Sequence, residues 1–210
     1  GLSMDVFYPE QIRQYPINIA SPDAYLRGKS MDFMRRYLDD TAAFGAKRMM
    51  LTPGWVFVDR FTDDDTKRAV ESLRALAEAA KPLGVRLAME EQDATVSLLC
   101  STLPRLARLV RDAGLEACMD VPLAAAHGES VQDYYDAFGA LGYVHIADVG
   151  ELGSAALGAG SFDVQGALEQ LSAHGYEGRL GLALWGAVHY PDPDTPLRQS
   201  RVWLHEHGVD

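Results

Sequence analysis

Arg86-Leu87-Ala88-Met89-Glu90 is a short apolar run closed by a carboxylate. Three later runs repeat its form: Glu116-Ala117-Cys118-Met119-Asp120, Tyr143-Val144-His145-Ile146-Ala147-Asp148 and Arg179-Leu180-Gly181-Leu182-Ala183. Each is too short for a buried helix and lies between helix-like stretches, so each reads as a buried parallel strand. Side chains alternate between the two faces of a strand. The face that carries Glu90, Asp120, His145 and Ala183 therefore also carries Ala88, Cys118, Ala147 and Gly181. The other face receives Leu87, Met89, Ala117, Met119, Val144, Ile146, Leu180, Leu182 and Leu184. Small residues on one side and mostly bulky aliphatics on the other suit a parallel barrel, with a tight interior, a greasy exterior and polar groups at the strand C-terminal ends. Three ligand-type residues and one alanine at those ends suggest a metal site short of one ligand.

Working outward, further strands are expected over Leu2 to Tyr8 and Lys47 to Thr52, with helices between and after the strands. The first helix is expected to open at Ser21-Pro22, a side-chain cap followed by proline, and to stop at Gly45. The second follows Thr62-Asp63-Asp64-Asp65, whose acidic residues favour the positive end of a helix. Others are expected over Leu103 to Asp112, Ser130 to Phe138 and Val164 to Ala173, and a last one from Thr195-Pro196. This makes about six strand-helix units, against the eight strands and about 250 residues of a closed (β/α)8 TIM barrel. The reading is an α/β fold of that class holding the third to eighth units, a single domain over 1–210. Two N-terminal units, roughly 50 to 70 residues, are expected to belong to a longer protein, since an open remnant would expose two hydrophobic sheet edges. A doubly wound open sheet is the alternative, weakened because no Gly-x-Gly-x-x-Gly follows a strand.

The 210 residues, 48% of them hydrophobic, can bury one large core, and neither a long apolar span nor a signal pattern is visible. A soluble, cytoplasmic protein is expected, without a membrane partner. A net charge of -11 disfavours a grip on a phosphate backbone, so nucleic acid is not expected as a partner. Cys100 and Cys118 fall in apolar surroundings and read as buried thiols in a reducing compartment.

Glu90, Asp120 and His145, 30 and 25 residues apart, form a mixed oxygen and nitrogen set that suits a divalent cation rather than a soft-metal thiolate site. Taken singly, Glu90 could cap a helix, Asp120 could form a salt bridge and His145 could be a satisfied core histidine. Together on one face, they favour the metal reading. Asp148 is a candidate for orienting a substrate or a loop, and His127 lies in the loop after the strand ending at Asp120. Trp55 and Trp185 follow strand ends, where an aromatic ring can stack on a sugar face or simply pack. No nucleophile with a supporting base is visible: Ser97 and Ser101 lack a Gly-x-Ser-x-Gly frame.

These residues resemble the xylose isomerase-like barrel superfamily of sugar isomerases and epimerases, ketose 3-epimerases among them. The resemblance runs through Tyr8-Pro9-Glu10, Tyr15-Pro16-Ile17-Asn18-Ile19, Leu87-Ala88-Met89-Glu90, Met119-Asp120, Val144-His145-Ile146-Ala147-Asp148, Gly158-Ala159-Gly160 and Gly175-Tyr176-Glu177-Gly178. It implies one divalent cation, with Mn, Mg or Co expected first and Zn or Fe as alternatives. Its ligands would be Glu90, Asp120 and His145, with Glu90 also the catalytic base; Trp55, His127, Asp148 and Trp185 are the candidates for contact with the substrate. The family's two glutamates move a proton on opposite faces of a ketose through an enediolate-like intermediate. Here the final glutamate falls on Ala183, the glutamate usual between the two glycines on Ala159, and a histidine common three residues after the aspartate on Leu123.

The resemblance therefore implies an isomerase or epimerase acting on a ketose or sugar derivative, with cation binding weakened or lost through Ala183. The alternative is a relative without catalysis, serving as a sugar-binding or partner subunit, and a homo-oligomer is compatible with either. An endonuclease use of the fold would need a histidine-rich multi-metal site and a basic groove, against which six histidines and the acidic charge argue.

Overall fold

The computed structural model describes residues 3–11, 17–56, 60–151 and 153–209. Leu2 of the first expected strand, and Tyr15 and Pro16 of the Tyr15 to Ile19 motif, lie outside them. The chain forms two compact units, Gly1–Cys118 and Met119–Asp210.

In the first unit the strands β1 (Val6–Phe7), β2 (Arg48–Met50), β3 (Arg86–Met89) and β4 (Glu116–Asp120, which continues past the unit boundary) pair in chain order, all parallel. Helices α1 (Ala24–Ala43), α2 (Asp63–Ala80) and α3 (Leu103–Ala113) separate them. Parallel neighbours require such crossovers, and the helices bury the aliphatic side. Leu73 and Leu76 of α2 and Leu106 and Leu109 of α3 are fully buried. Each such leucine stabilises the unit by about 1.5–3 kcal/mol. The row Leu87, Ala88 and Met89 is buried on both faces of β3, as expected of an inner parallel strand. At the N-terminal ends, Arg48 and Arg86 clasp the two oxygens of Glu116 at 2.8 and 2.6 Å, tying β2, β3 and β4 together.

The first helix departs from expectation. Ser21 does not cap it; Asp23 does, accepting from the amide of Leu26 at 2.9 Å, while Ser21 Oγ accepts from the amide of Asp23. The second helix starts where Thr62-Asp63-Asp64-Asp65 placed it, with the Asp65 carboxylate accepting from both the amide and the hydroxyl of Thr62. The third ends on Gly114 in the left-handed region at φ 70°, which glycine adopts without strain.

The second unit contains α4 (Val121–Ala126), α5 (Val131–Phe138), β5 (Tyr143–Ile146), the antiparallel pair β6 (Asp148–Gly150) and β7 (Gly153–Ala155), α6 (Val164–Ala173), β8 (Leu180–Leu182) and α7 (Asp194–Glu206). Strands β5 and β8 are parallel, with His145 opposite Gly181 and Ile146 opposite Leu182. Two features differ from the sequence reading. The strand expected to run from Tyr143 through Asp148 breaks at Ala147, and Asp148 opens a separate hairpin. A short helix, α4, follows β4 directly, because Asp120 caps it by accepting from the amide of Leu123 at 3.0 Å. The last helix begins at Asp194, one residue before Thr195. Among the described residues, no helix is long and apolar enough to cross a membrane.

Candidate active site

In the first unit the site centres on Glu90, one residue past the C-terminal end of β3 and 6% exposed. The register sets Ala88 opposite Glu116 and Met89 opposite Ala117, which carries Glu90 to a place opposite Cys118. Accordingly Cys118 Sγ lies 3.9 Å from Glu90 Oε2, as a weak thiol donor. The other oxygen, Oε1, accepts from the side-chain amide of Gln92 at 3.0 Å. The same Gln92 nitrogen donates to the hydroxyl of Tyr8 at 3.2 Å, just beyond the end of β1. Burial, then the charge of Glu90 and a hydrogen bond to it, hold the Tyr8 hydroxyl well above its ordinary value, so it stays a protonated donor. Burial likewise pushes the Cys100 thiol up to about 12. Both cysteines are buried free thiols, as their apolar context suggested.

Trp55, in the same unit, follows β2 and is half-buried, its backbone carbonyl accepting from Asn18 Nδ2 at 2.8 Å and its amide donating to Asn18 Oδ1 at 3.3 Å. Gly54 must be glycine: its φ is 97°, and a Cβ would lie 3.0 Å from the amide nitrogen of Ala20.

In the second unit, Asp120 is half-buried at the end of β4 and serves as the cap of α4. His145 is half-buried and meets the ring of Tyr143 edge-on, with centroids 5.3 Å apart. A Cβ at Gly181 would lie 2.7 Å from the Tyr143 hydroxyl and 2.9 Å from His145 Cδ2, so glycine leaves the room in which both rings pack. Register puts Ala183, two positions on from Gly181, on the same side of the β5–β8 pair as His145. Ala183 is buried, and its amide donates to the carbonyl of Ile146 at 2.9 Å.

Asp148 is buried at 2% exposure, and its carboxylate accepts four backbone amides. Oδ1 receives Val149 and Phe162 at 2.8 and 2.9 Å; Oδ2 receives Gly158 and Gly160 at 3.1 and 2.9 Å. This carboxylate gathers the loop from 149 to 162. His127 is exposed at the end of α4. Trp185 is also exposed; its amide and carbonyl both bond to the hydroxyl of Ser154 in β7, which in effect pins the segment after β8 to the hairpin.

The donor types at the ends of β3, β4 and β5, two carboxylates and an imidazole, match a divalent cation of oxygen and nitrogen preference. Tyr8 entered the sequence reading only within the Tyr8-Pro9-Glu10 motif and Gln92 not at all, since the bond between them joins positions 84 apart.

The family model for the xylose isomerase-like TIM barrel matches residues 2–207. The chain belongs to that family. The α/β TIM-barrel class read from the four strand ends is thus the family's own. No curated protein sequence matches the chain. Among solved structures, a 3-keto-D-glucoside 4-epimerase from E. coli is similar at 22% identity and a TM-score of 0.79, covering 98% of this chain and 80% of its own. An L-ribulose 3-epimerase is similar at 18% identity and a TM-score of 0.80, covering 99% of this chain and 84% of its own. The IOLI protein, solved with a binding zinc atom, is similar at 15% identity and a TM-score of 0.77, over 98% of this chain and 75% of its own.

Proposed function

We propose that this family member is a divalent-metal-dependent enzyme of the sugar isomerase and epimerase type, acting on a ketose or related sugar derivative. The observation that carries the reading is the buried Glu90 carboxylate at the end of β3, fixed through both oxygens by neutral side chains. Membership in the xylose isomerase-like family and the sugar epimerases among its structural neighbours support it.

Glu90 acts as the base that takes the proton from the carbon beside a sugar carbonyl, whose electron pair moves onto the carbonyl oxygen. Glu90, Asp120 and His145 would hold a divalent cation, which when bound would polarise that carbonyl. Proton return then decides the outcome. If Glu90 returns the proton to the neighbouring carbon on its own face, and the hydroxyl proton passes from its oxygen to the former carbonyl oxygen, an aldose and a ketose interconvert. Epimerisation at one carbon needs a donor on the opposite face, and Ala183 provides no acid there. One-base isomerisation is therefore the reaction these residues support best. Trp55, His127, Asp148 and Trp185 remain the residues assigned to the substrate. Of these, Trp55 and Trp185 offer aromatic faces to a sugar ring, while Asp148 acts through the loop it holds. The ion is proposed as Mn, Mg or Co, with Zn or Fe as alternatives, and the substrate as a small carbohydrate in a cytoplasmic setting.

Ala183 also favours a second reading: a relative without catalysis that serves as a sugar-binding or partner subunit. Elemental analysis followed by a Glu90→Gln comparison on a panel of ketoses and aldoses separates the two. The enzyme reading expects near-stoichiometric cation and a loss of turnover of about 100-fold or more in Glu90→Gln. Turnover that Glu90→Gln leaves intact, or a protein that takes up no divalent cation, would overturn it.

A further inference from the structure

We propose that Tyr8 and Gln92 are positioning residues for Glu90, holding its carboxylate in the orientation that a divalent cation and a sugar proton both require; the inference rests on the functional reading above. Three observations support it. First, one Gln92 amide nitrogen serves two acceptors, Glu90 Oε1 at 3.0 Å and the Tyr8 hydroxyl at 3.2 Å, so the tyrosine, the amide and the carboxylate form a single hydrogen-bonded unit. Second, Gln92 is fixed at its own backbone, its N–H donating to the carbonyl of Cys100 at 3.2 Å. That carbonyl belongs to a buried turn, which Ser97 ties to the carbonyl of Gly54 at 2.6 Å. Third, Cys118 Sγ meets the opposite oxygen, Oε2, so rotation of the carboxylate about its last bond breaks a contact on either side.

A carboxylate with both oxygens spoken for by neutral groups keeps its negative charge available while its geometry is set. A hydrogen bond to a ligating carboxylate leaves a second lone pair on the same oxygen for a cation. Groups that orient metal ligands in this way matter nearly as much as the ligands themselves, and removing one typically weakens metal binding by roughly 10- to 100-fold. Tyr8 comes from the end of β1 and Gln92 from the loop after β3, so the orientation of Glu90 depends on the packing of the whole first unit rather than on its own strand.

The test titrates Mn2+ into the full chain by calorimetry, for the wild type, Tyr8→Phe, Gln92→Leu and the double variant, with melting temperatures measured in chelator. The wild type is expected to bind near one equivalent. Tyr8→Phe and Gln92→Leu should each weaken binding by roughly 10- to 100-fold. The double variant should lose less than the product of the two, because both act in one network. Melting temperatures without metal should stay close to that of the wild type. If Gln92→Leu fails to fold, Tyr8→Phe decides alone, since it removes one hydroxyl and keeps the ring. A wild type that binds Mn2+ with both folded variants binding equally well overturns the positioning role and leaves the functional reading standing. Affinity that falls only in step with a lowered melting temperature overturns it too, as a structural effect. A wild type that takes up no stoichiometric Mn2+ overturns the functional reading, and the positioning role with it.

Discussion

At the level of single residues, Asp148 and Gly181 show how much of the site is held by groups that touch no reacting atom. Asp148 accepts amides from residues 149, 158, 160 and 162, and there is no space for a side chain at 160, where a Cβ would run into Asp148 Oδ1 and the carbonyl of Val149. Asp148→Ala removes a buried carboxylate that accepts from four loop amides and should lower stability by about 3 kcal/mol or more, read as a shift of the urea midpoint. A substrate-contacting role would instead raise KM at unchanged stability, which the same variant distinguishes. Gly181→Ala should displace the His145 ring, since the new Cβ meets it at 2.9 Å and Tyr143 at 2.7 Å. Forcing a side chain into packed surroundings costs about 1–3 kcal/mol. The expected result is a lowered melting temperature with a shifted His145 imidazole resonance; an unchanged resonance would show that the ring does not need the gap. The sequence offered Asp148 as a residue that orients a substrate or a loop, and the loop is what it holds, whereas the glycine was visible only as a small residue on the ligand face.

Among the helices and strands, the features that the sequence made legible are those with a local chemical signature. Ser130, where that helix was expected to begin, caps α5, its hydroxyl accepting from the amide of Asp133 at 3.2 Å while Asp133 accepts from the amide of Ser130 at 2.8 Å. Ser130→Ala should therefore cost about 1 kcal/mol, measurable in the urea midpoint, whereas Ser21→Ala should do little through capping, because Asp23 holds that position. Signatures that compete mislead. Ser21-Pro22 resembles a cap and first turn, yet Asp23 offers a charged acceptor two residues later and wins. Asp120 closes a strand and opens a helix at the same atom, so α4 was hidden behind the ligand reading. Ile146, Ala147 and Asp148 continue an apolar run, and nothing local announces that the chain leaves the β5–β8 pair for a hairpin. The strand ends bearing Glu90, Asp120 and His145 were legible because period and composition agree there. The bond from Gln92 to Tyr8 was not, because it depends on which strands become neighbours.

Across the whole molecule, one family model spans residues 2–207 and so includes both compact units. The acidic balance, a net charge of -11, sets how the protein responds to alkali, where titrating acids add further negative charge. Cys100 makes that response specific. Its buried thiol is raised from an ordinary 9.0 to about 12, so below pH 9 folded and unfolded chains both hold the proton. Above it the unfolded thiol ionises first and binds fewer protons than the native one. Stability from this group is thus fully present below pH 9 and is lost as pH climbs towards 12, at about 1.4 kcal/mol per pH unit for one proton. The raised Tyr8 hydroxyl acts in the same sense at higher pH. Urea midpoints measured from pH 8 upward should therefore fall more steeply in the wild type than in Cys100→Ala, which starts lower because of the cavity it leaves but loses less per unit of pH. The same thiol should resist alkylation until the chain is unfolded, since only the thiolate reacts. Parallel pH curves, together with rapid labelling of the native protein, would show that Cys100 is neither buried nor raised as the packing of the first unit requires.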